Sequence, residues 1–277
     1  ISGGDTEKII EKMKKAYVRW EENSFPGLLG NVIAGRIANR LNLGGTNCTV
    51  DAACASSLSA MKMAISDLLE YRSDMMIAGG VDADNSPLMY MCFSKTPAFT
   101  KGDNPRPFDE NSGGVMIGEG MGMVVLKRLE DAERDGDSIY AVIKGIGTSS
   151  DGKFKSIYAP RSGGQAKALR KAYADADIDR LSIGLLEAHG TGTAAGDAAE
   201  FDGLKEVFVE NTSAKSGYPD FQHIALGSIK SQIGHTKAAA GIAGLIKTTL
   251  ALHHKILPPT INIERPSEKL GIEKTPF

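Results

Sequence analysis

The chain has 277 residues, 42% of them hydrophobic and 24% charged, the balance of a folded globular protein rather than a disordered one. Thirty-two Lys and Arg against 34 Asp and Glu leave a formal charge of −2, which gives no electrostatic footprint for nucleic acid or an acidic membrane. No apolar run approaches the roughly 20 residues of a membrane-spanning helix, and three cysteines are too few, and odd in number, for a disulfide scaffold, so a reducing cytoplasm is expected.

Ile9, Met13, Tyr17 and Trp20 recur at helical spacing and predict a helix over 5–20, broken by SFPG at 24–27. Ile33, Ile37 and Leu41 mark a second, shorter helix. LGGTNCTVDAA (43–53) moves from turn residues into small and β-branched ones, which predicts a buried strand to about Ala52. Leu58, Met61, Ile65 and Leu68 predict a helix to about Tyr71, and 75–78 a short strand closed by Gly79-Gly80. A polar loop at 101–114 precedes strands at 122–127 and 139–146, with the charged segment EDAERDGD (130–137) as the turn between them. A helix is expected from Gly164 to Ala176 and a strand at 183–188. Asp197 with Glu200 reads as a capping box opening the next helix. ENTSAKSGYPD (210–220) reads as a surface loop, 224–228 as a strand, 236–253 as a long buried helix and 256–262 as strand-like. Strands alternating with helices imply an α/β fold. Each half runs strand, motif loop, buried helix, so two related halves are expected, at 1–138 and 139–277. The chain has no initiator Met, stops at Pro276-Phe277 and reads as a piece of a longer polypeptide.

Three residues carry chemical promise. Cys54 sits where a strand gives way to an apolar helix. There the helix dipole and free backbone N–H groups favour thiolate and can bind an oxyanion, although a small buried core cysteine fits the same position. His189 ends the strand IGLLEA and opens HGTGT, and His235 ends SIKSQIGH. Strand ends of α/β sheets are where ligands bind. Lys230 stands in an otherwise neutral stretch as a snorkelling residue or a buried charge that tunes its neighbours. Gly190 to Ala195 nearly matches the dinucleotide fingerprint, but the acidic residue expected about 20 positions on falls near Asp220, in the polar loop. Cys48 and Cys92 are expected to pack in the core, His253-His254 to complement a helix dipole, and no His/Cys spacing suits a metal.

One Cys and two His, in VDAACASS, EAHGTGT and GSIKSQIGHTKAAAG, resemble the β-ketoacyl synthase family of condensing enzymes, over essentially the whole chain. The resemblance implies a thiolase-like fold of duplicated α/β halves in a five-layer α-β-α-β-α arrangement, incomplete here. It implies that Cys54 takes an acyl chain as a thioester and that His189 and His235 promote decarboxylation of a malonyl thioester. It further implies that Lys230 supports the site, that Thr191 and Thr193 hydrogen-bond the pantetheine arm, and that no cofactor is bound beyond the 4′-phosphopantetheine of an acyl carrier protein. A homodimer pairing near residues 46–52 is implied too. FSKTPAFT (93–100) and SSDGKFKSIYAPRSGGQAKAL (149–169) resemble ketosynthases of polyunsaturated fatty acid synthases, and 239–262 the modular polyketide branch. A thiolase would need a second, late cysteine, starter-type enzymes carry Asn in place of His235, and chain-length factors lack the nucleophile. The family's N-terminal strand-and-loop region and late Gly-Phe-Gly-Gly loop are not in this sequence, so the 277-residue chain alone is expected to be poorly active. A nicotinamide-dependent oxidoreductase and a non-catalytic scaffold stand as the competing readings.

Overall fold

The computed structural model describes residues 5–16, 19–96, 98–156, 158–209 and 222–277. Tyr17 and the loop at 210–220 lie outside them. The chain divides into two compact units, Ile1–Thr49 and Val50–Phe277.

In the first unit, helix α1 spans Thr6–Ala16 and buries none of its residues. Trp20 lies beyond its end. The SFPG segment does not break the chain into coil but forms part of a 3-10 helix, Glu22–Leu28, opened by reciprocal capping between Glu21 and Ser24. Helix α2, Asn31–Arg40, buries Ala38. Residues 43–52, read as a strand, are not one: they have no ladder partner among the described residues, and 43–49 are exposed.

In the second unit, a 3-10 turn at Ala53–Ala55 leads into helix α3, Ser56–Leu69, whose Ser57, Met61, Ala64 and Leu68 form a buried stripe at helical spacing. Strand β1, Met75–Asp82, runs through Gly79-Gly80 instead of ending there. A Cβ on Gly80 would lie 2.8 Å from both the Ala238 carbonyl oxygen and Ser57 Cβ, so the glycine is where other backbone comes close, a use strands make of glycine. Helix α4, Pro87–Ser94, is capped by Ser86. Its Cys92 is exposed, as is Cys48, so neither packs in the core as expected. Strand β2, Gly120–Lys127, pairs antiparallel with β1.

The charged segment after β2 is a helix, α5, Leu129–Asp135, closed by Gly136 in the left-handed region. It is fixed by polar contacts that apolar periodicity does not register: Arg128 donates to Asp131, to Leu68 O and to Ser73 O. Residues 139–146 form no strand, and neither do 256–262. Helix α6, Ser162–Ala176, packs on α7, Ala194–Phe208, which crosses between strand β3, Leu185–Glu187, and its parallel partner β4, Ala225–Gly227. The cap of α7 is Thr193, which accepts from Gly196 N–H, rather than Asp197. A short helix α8, Lys230–Ile233, and a turn at Lys237–Ala239 precede α9, Ala240–His254. Helix α9 buries one face, with Leu250 and Leu252 exposed, so it is not buried all round.

Two cores result. Met61, Ala64, Ala78, Ala239 and Ile242 join α3, β1 and the start of α9. Phe108, Phe201, Phe208 and Phe277 centre the other, between α6, α7 and the β3–β4 pair. Ser57 Oγ accepts from Ile242 N–H at 3.0 Å and ties the α3 start to the α9 start. No helix among the described residues is long and apolar enough to cross a membrane.

Candidate active site

Cys54 lies in the turn before α3. The preceding residue, Ala53, has φ +50°, the left-handed region that costs a residue with a Cβ about 1 kcal/mol or more. Side chains hold it there: Asp51 accepts from Ala53 N–H at 3.0 Å, and Ser56 Oγ accepts from Ala52 N–H at 2.9 Å while donating to Ala53 O at 2.7 Å. The sharp turn presents the thiol at the mouth of the helix. Desolvation raises the Cys54 pKa, opposed by the nearby Lys230 ammonium and by its own backbone N–H.

His189 follows β3, and its loop is anchored from α7. Glu200 accepts from His189 N–H at 2.6 Å and Gly190 N–H at 2.8 Å. Asp197 accepts from Gly192 N–H at 3.0 Å and Phe108 N–H at 2.7 Å. The sequence reading assigned these two carboxylates to a helix cap and missed this role. Their signal was present: they stand one helical turn apart on one face, just after a glycine-rich loop that leaves amides to satisfy. Gly190 has φ +48°, and a Cβ there would sit 2.7 Å from Ser228. Thr191 and Thr193 bond each other at 2.9 Å, and Thr193 also caps α7.

His235 is buried. Its backbone is clamped between Met116 O, accepting at 2.7 Å, and Gly118 N–H, donating at 2.9 Å. Its ring Nδ1 accepts from Lys237 N–H at 2.9 Å, so the neutral ring carries its proton on Nε2.

These segments converge. One donor atom each from Cys54, His189 and His235 lies within 4.8 Å of the others, and the two imidazoles meet edge to face with centroids 5.2 Å apart. Desolvation, then the positive charge of Lys230, lowers both imidazole pKa values to about 3. His189 is exposed by surface area although protein atoms crowd it, and His235 is 4% exposed. Lys230, also 4% exposed, is itself lowered by desolvation and supported by Glu200, Cys54, Glu187 and Asp197.

A Cys and two His this close form a metal-capable set that sequence spacing did not reveal. The hydrogen bonding suits another task. Metal-bound imidazoles donate from their second nitrogen, whereas His235 Nδ1 accepts, which leaves the ring N–H on Nε2. The dinucleotide reading fares worse, because Glu200, Asp197 and Thr193 already take the Gly190, Gly192 and Gly196 amides a pyrophosphate would need.

Comparison with known proteins agrees. The β-ketoacyl synthase N-terminal domain matches residues 1–132, and the β-ketoacyl synthase C-terminal domain matches residues 140–264. The chain belongs to the β-ketoacyl synthase family. It is 51% identical over 262 residues to a polyunsaturated fatty acid synthase polypeptide of Thraustochytrium sp., covering 95% of this chain and 9% of that protein. It is 39% identical to polyketide synthase PksM of Bacillus subtilis, covering 93% and 6%. Among solved structures, the ketosynthase from module 6 of the bacillaene synthase of Bacillus subtilis superposes with a TM-score of 0.83 at 41% identity, covering 89% of this chain and 43% of that one. The module 1 ketosynthase from Bacillus amyloliquefaciens gives 0.81 at 34%, covering 94% and 44%. The fold is therefore the thiolase-like α/β fold of ketosynthases. This ketosynthase chain spans under half the length of those solved structures and under a tenth of either synthase.

Proposed function

We propose that this chain carries the condensing centre of a ketosynthase that elongates acyl chains in polyunsaturated fatty acid or polyketide synthesis. The observation that carries the reading is the convergence of Cys54, His189 and His235 within 4.8 Å, with the His235 proton on Nε2. The Cys54 sulfur attacks an acyl thioester while its proton moves by way of His189 to the departing sulfur. The acyl group moves to Cys54 and the donor leaves as a pantetheine thiol. A malonyl thioester then loses CO₂, and its electron pair becomes an enolate. The enolate oxygen accepts a hydrogen bond from the Nε2–H of His235, a donor in a water-poor site worth about 3 kcal/mol. The enolate carbon attacks the Cys54 acyl group, forms the C–C bond and releases the Cys54 thiolate. Lys230 favours negative charge at both stages.

Under this reading Thr191 and Thr193 lie along the pantetheine arm, the arm belongs to an acyl carrier protein, and the chain needs no resident cofactor. The 51% identity to a polyunsaturated fatty acid synthase favours that branch. The exposed stretch near 46–52 is where a second copy would pair to make a homodimer, and the two halves would meet near residue 138. Three free cysteines suit a reducing cytoplasm.

The test is intact mass after incubation of the full polypeptide carrying this sequence with an acyl thioester of a carrier protein or of N-acetylcysteamine. One acyl increment, lost in Cys54→Ala, is expected. A folded protein that gains no mass would remove the transacylation step and favour a scaffold.

A further inference from the structure

Lys237 lies two residues past His235, in the turn before α9, and the condensing chemistry does not use it. Its φ is +46°, where a side chain is normally avoided and glycine preferred. Yet it is a lysine and it is 8% exposed. The side chain accounts for this. All three ammonium donors are used: Asp82 Oδ1 at 2.9 Å, Asn85 Oδ1 at 2.8 Å and Gly118 O at 3.0 Å. Asp82 and Asn85 come from the end of β1 and the segment beyond it, and Gly118 from the segment before β2. Gly118 also donates its N–H to His235 O. The backbone N–H of Lys237 is the group that holds His235 Nδ1. One residue thus fastens its ammonium to the β1–β2 side of the core and its amide to the ring.

We propose that Lys237 is a positioning residue for His235: its anchored ammonium holds the strained turn whose amide occupies Nδ1, and so keeps the ring proton on Nε2, facing Cys54 and His189. The inference rests on the reading given under Proposed function and adds to it a residue that touches no substrate. A residue that fixes the tautomer of a neighbouring imidazole affects the step that uses the imidazole proton, and leaves the other chemistry in place. Acyl transfer to Cys54 should therefore survive loss of Lys237, and decarboxylation should not. The charged groups around His235 are Lys230 and Lys237, which disfavour its cation, and Asp82, which favours it. Removing the Lys237 side chain takes away one of the two cations and loosens the turn whose amide holds Nδ1, so the acid limb of the decarboxylation profile should move to higher pH.

The experiment compares the full polypeptide with Lys237→Met and Lys237→Arg, reading Cys54 acylation by mass and malonyl decarboxylation by CO₂ release. Lys237→Met is expected to lower decarboxylation kcat about tenfold or more while its KM and Cys54 acylation stay within about threefold. Lys237→Arg, which keeps a cation for Asp82, is expected to recover part of the loss. If Lys237→Met does not fold, Asp82→Asn, which weakens the anchor from the other side, is expected to show the same split. Decarboxylation within about twofold of the unsubstituted protein, or acylation and decarboxylation falling together, would overturn the proposal. Failure of the unsubstituted, folded protein to acylate at all is a different result, since it removes the condensing reading itself.

Discussion

At the scale of single residues, His235 has one ring nitrogen committed to backbone. His235 gives Nδ1 to the Lys237 amide, and with Nε2–H serving an oxyanion in the proposed reaction, His235→Ala should cut malonyl decarboxylation about 100- to 1000-fold. Acylation of Cys54 should persist, with CO₂ release and intact mass as the two readouts. The neutral rings also make a stability prediction. Both pKa values lie near 3 in the folded chain, below the roughly 6.5 of an unfolded histidine. Between those values the unfolded chain binds the extra protons, so stability is complete above about pH 6.5 and is lost as pH falls toward 3. The melting temperature should drop across that window, and His235→Gln should flatten the drop. An unchanged slope would mean that His235 is not the buried neutral group described. Cys54, His189 and His235 could be singled out by residue type and by the motifs around them, although of the three only His189 follows a strand in the fold. Asp197 and Glu200 were not, because they serve backbone amides, and which amide lacks a partner is settled only by the fold; Lys237 was not, because its ammonium partners, Asp82, Asn85 and Gly118, are far from it in sequence.

At the scale of elements, β3 and α9 are joined by a buried ion pair. Glu187 meets Lys247 Nζ at 2.7 Å, with side chains 9% and 7% exposed, and Glu187 also accepts from Ile229 N–H. Lys247→Met would strand the carboxylate and should cost about 3–5 kcal/mol in urea unfolding. Glu187→Gln combined with Lys247→Met should recover much of it, whereas equal losses in single and double variants would show that the pair is not coupled. The elements that sequence reading found are those with their own periodicity: α1, α2, α3, α6, α7, α9 and the apolar runs of β1 to β4. Those it misread depend on something distant. Residues 43–52 and 139–146 have strand composition but no partner among the described residues. Residues 129–135 have turn composition but are held as a helix by Arg128, and Gly79-Gly80 continue a strand because other backbone lies against them.

At the scale of the whole molecule, β2 shows apolar side chains on both faces. Val124 and Leu126 pack against the α3–α9 core, while Met121, Met123 and Val125 are 79%, 48% and 64% exposed. A strand apolar on both sides is the pattern of a sheet covered on both sides, and an uncovered apolar face promotes association. The 277-residue chain expressed alone should therefore self-associate with rising concentration in light scattering and condense acyl chains poorly. Met121→Lys with Val125→Thr should suppress the association. A monodisperse, fully active chain would contradict both expectations.

The bond between Ser57 and Ile242 has a consequence in time as well as in space. It joins residues 185 apart in sequence, and the helix after Cys54 and the helix after His235 meet through it. Contacts of such separation form late, because closing a long loop costs entropy before any contact repays it. On refolding from denaturant, helical signal should return first and the capacity to load Cys54 last, so the protein passes through a stage that looks folded by its helices and cannot yet react.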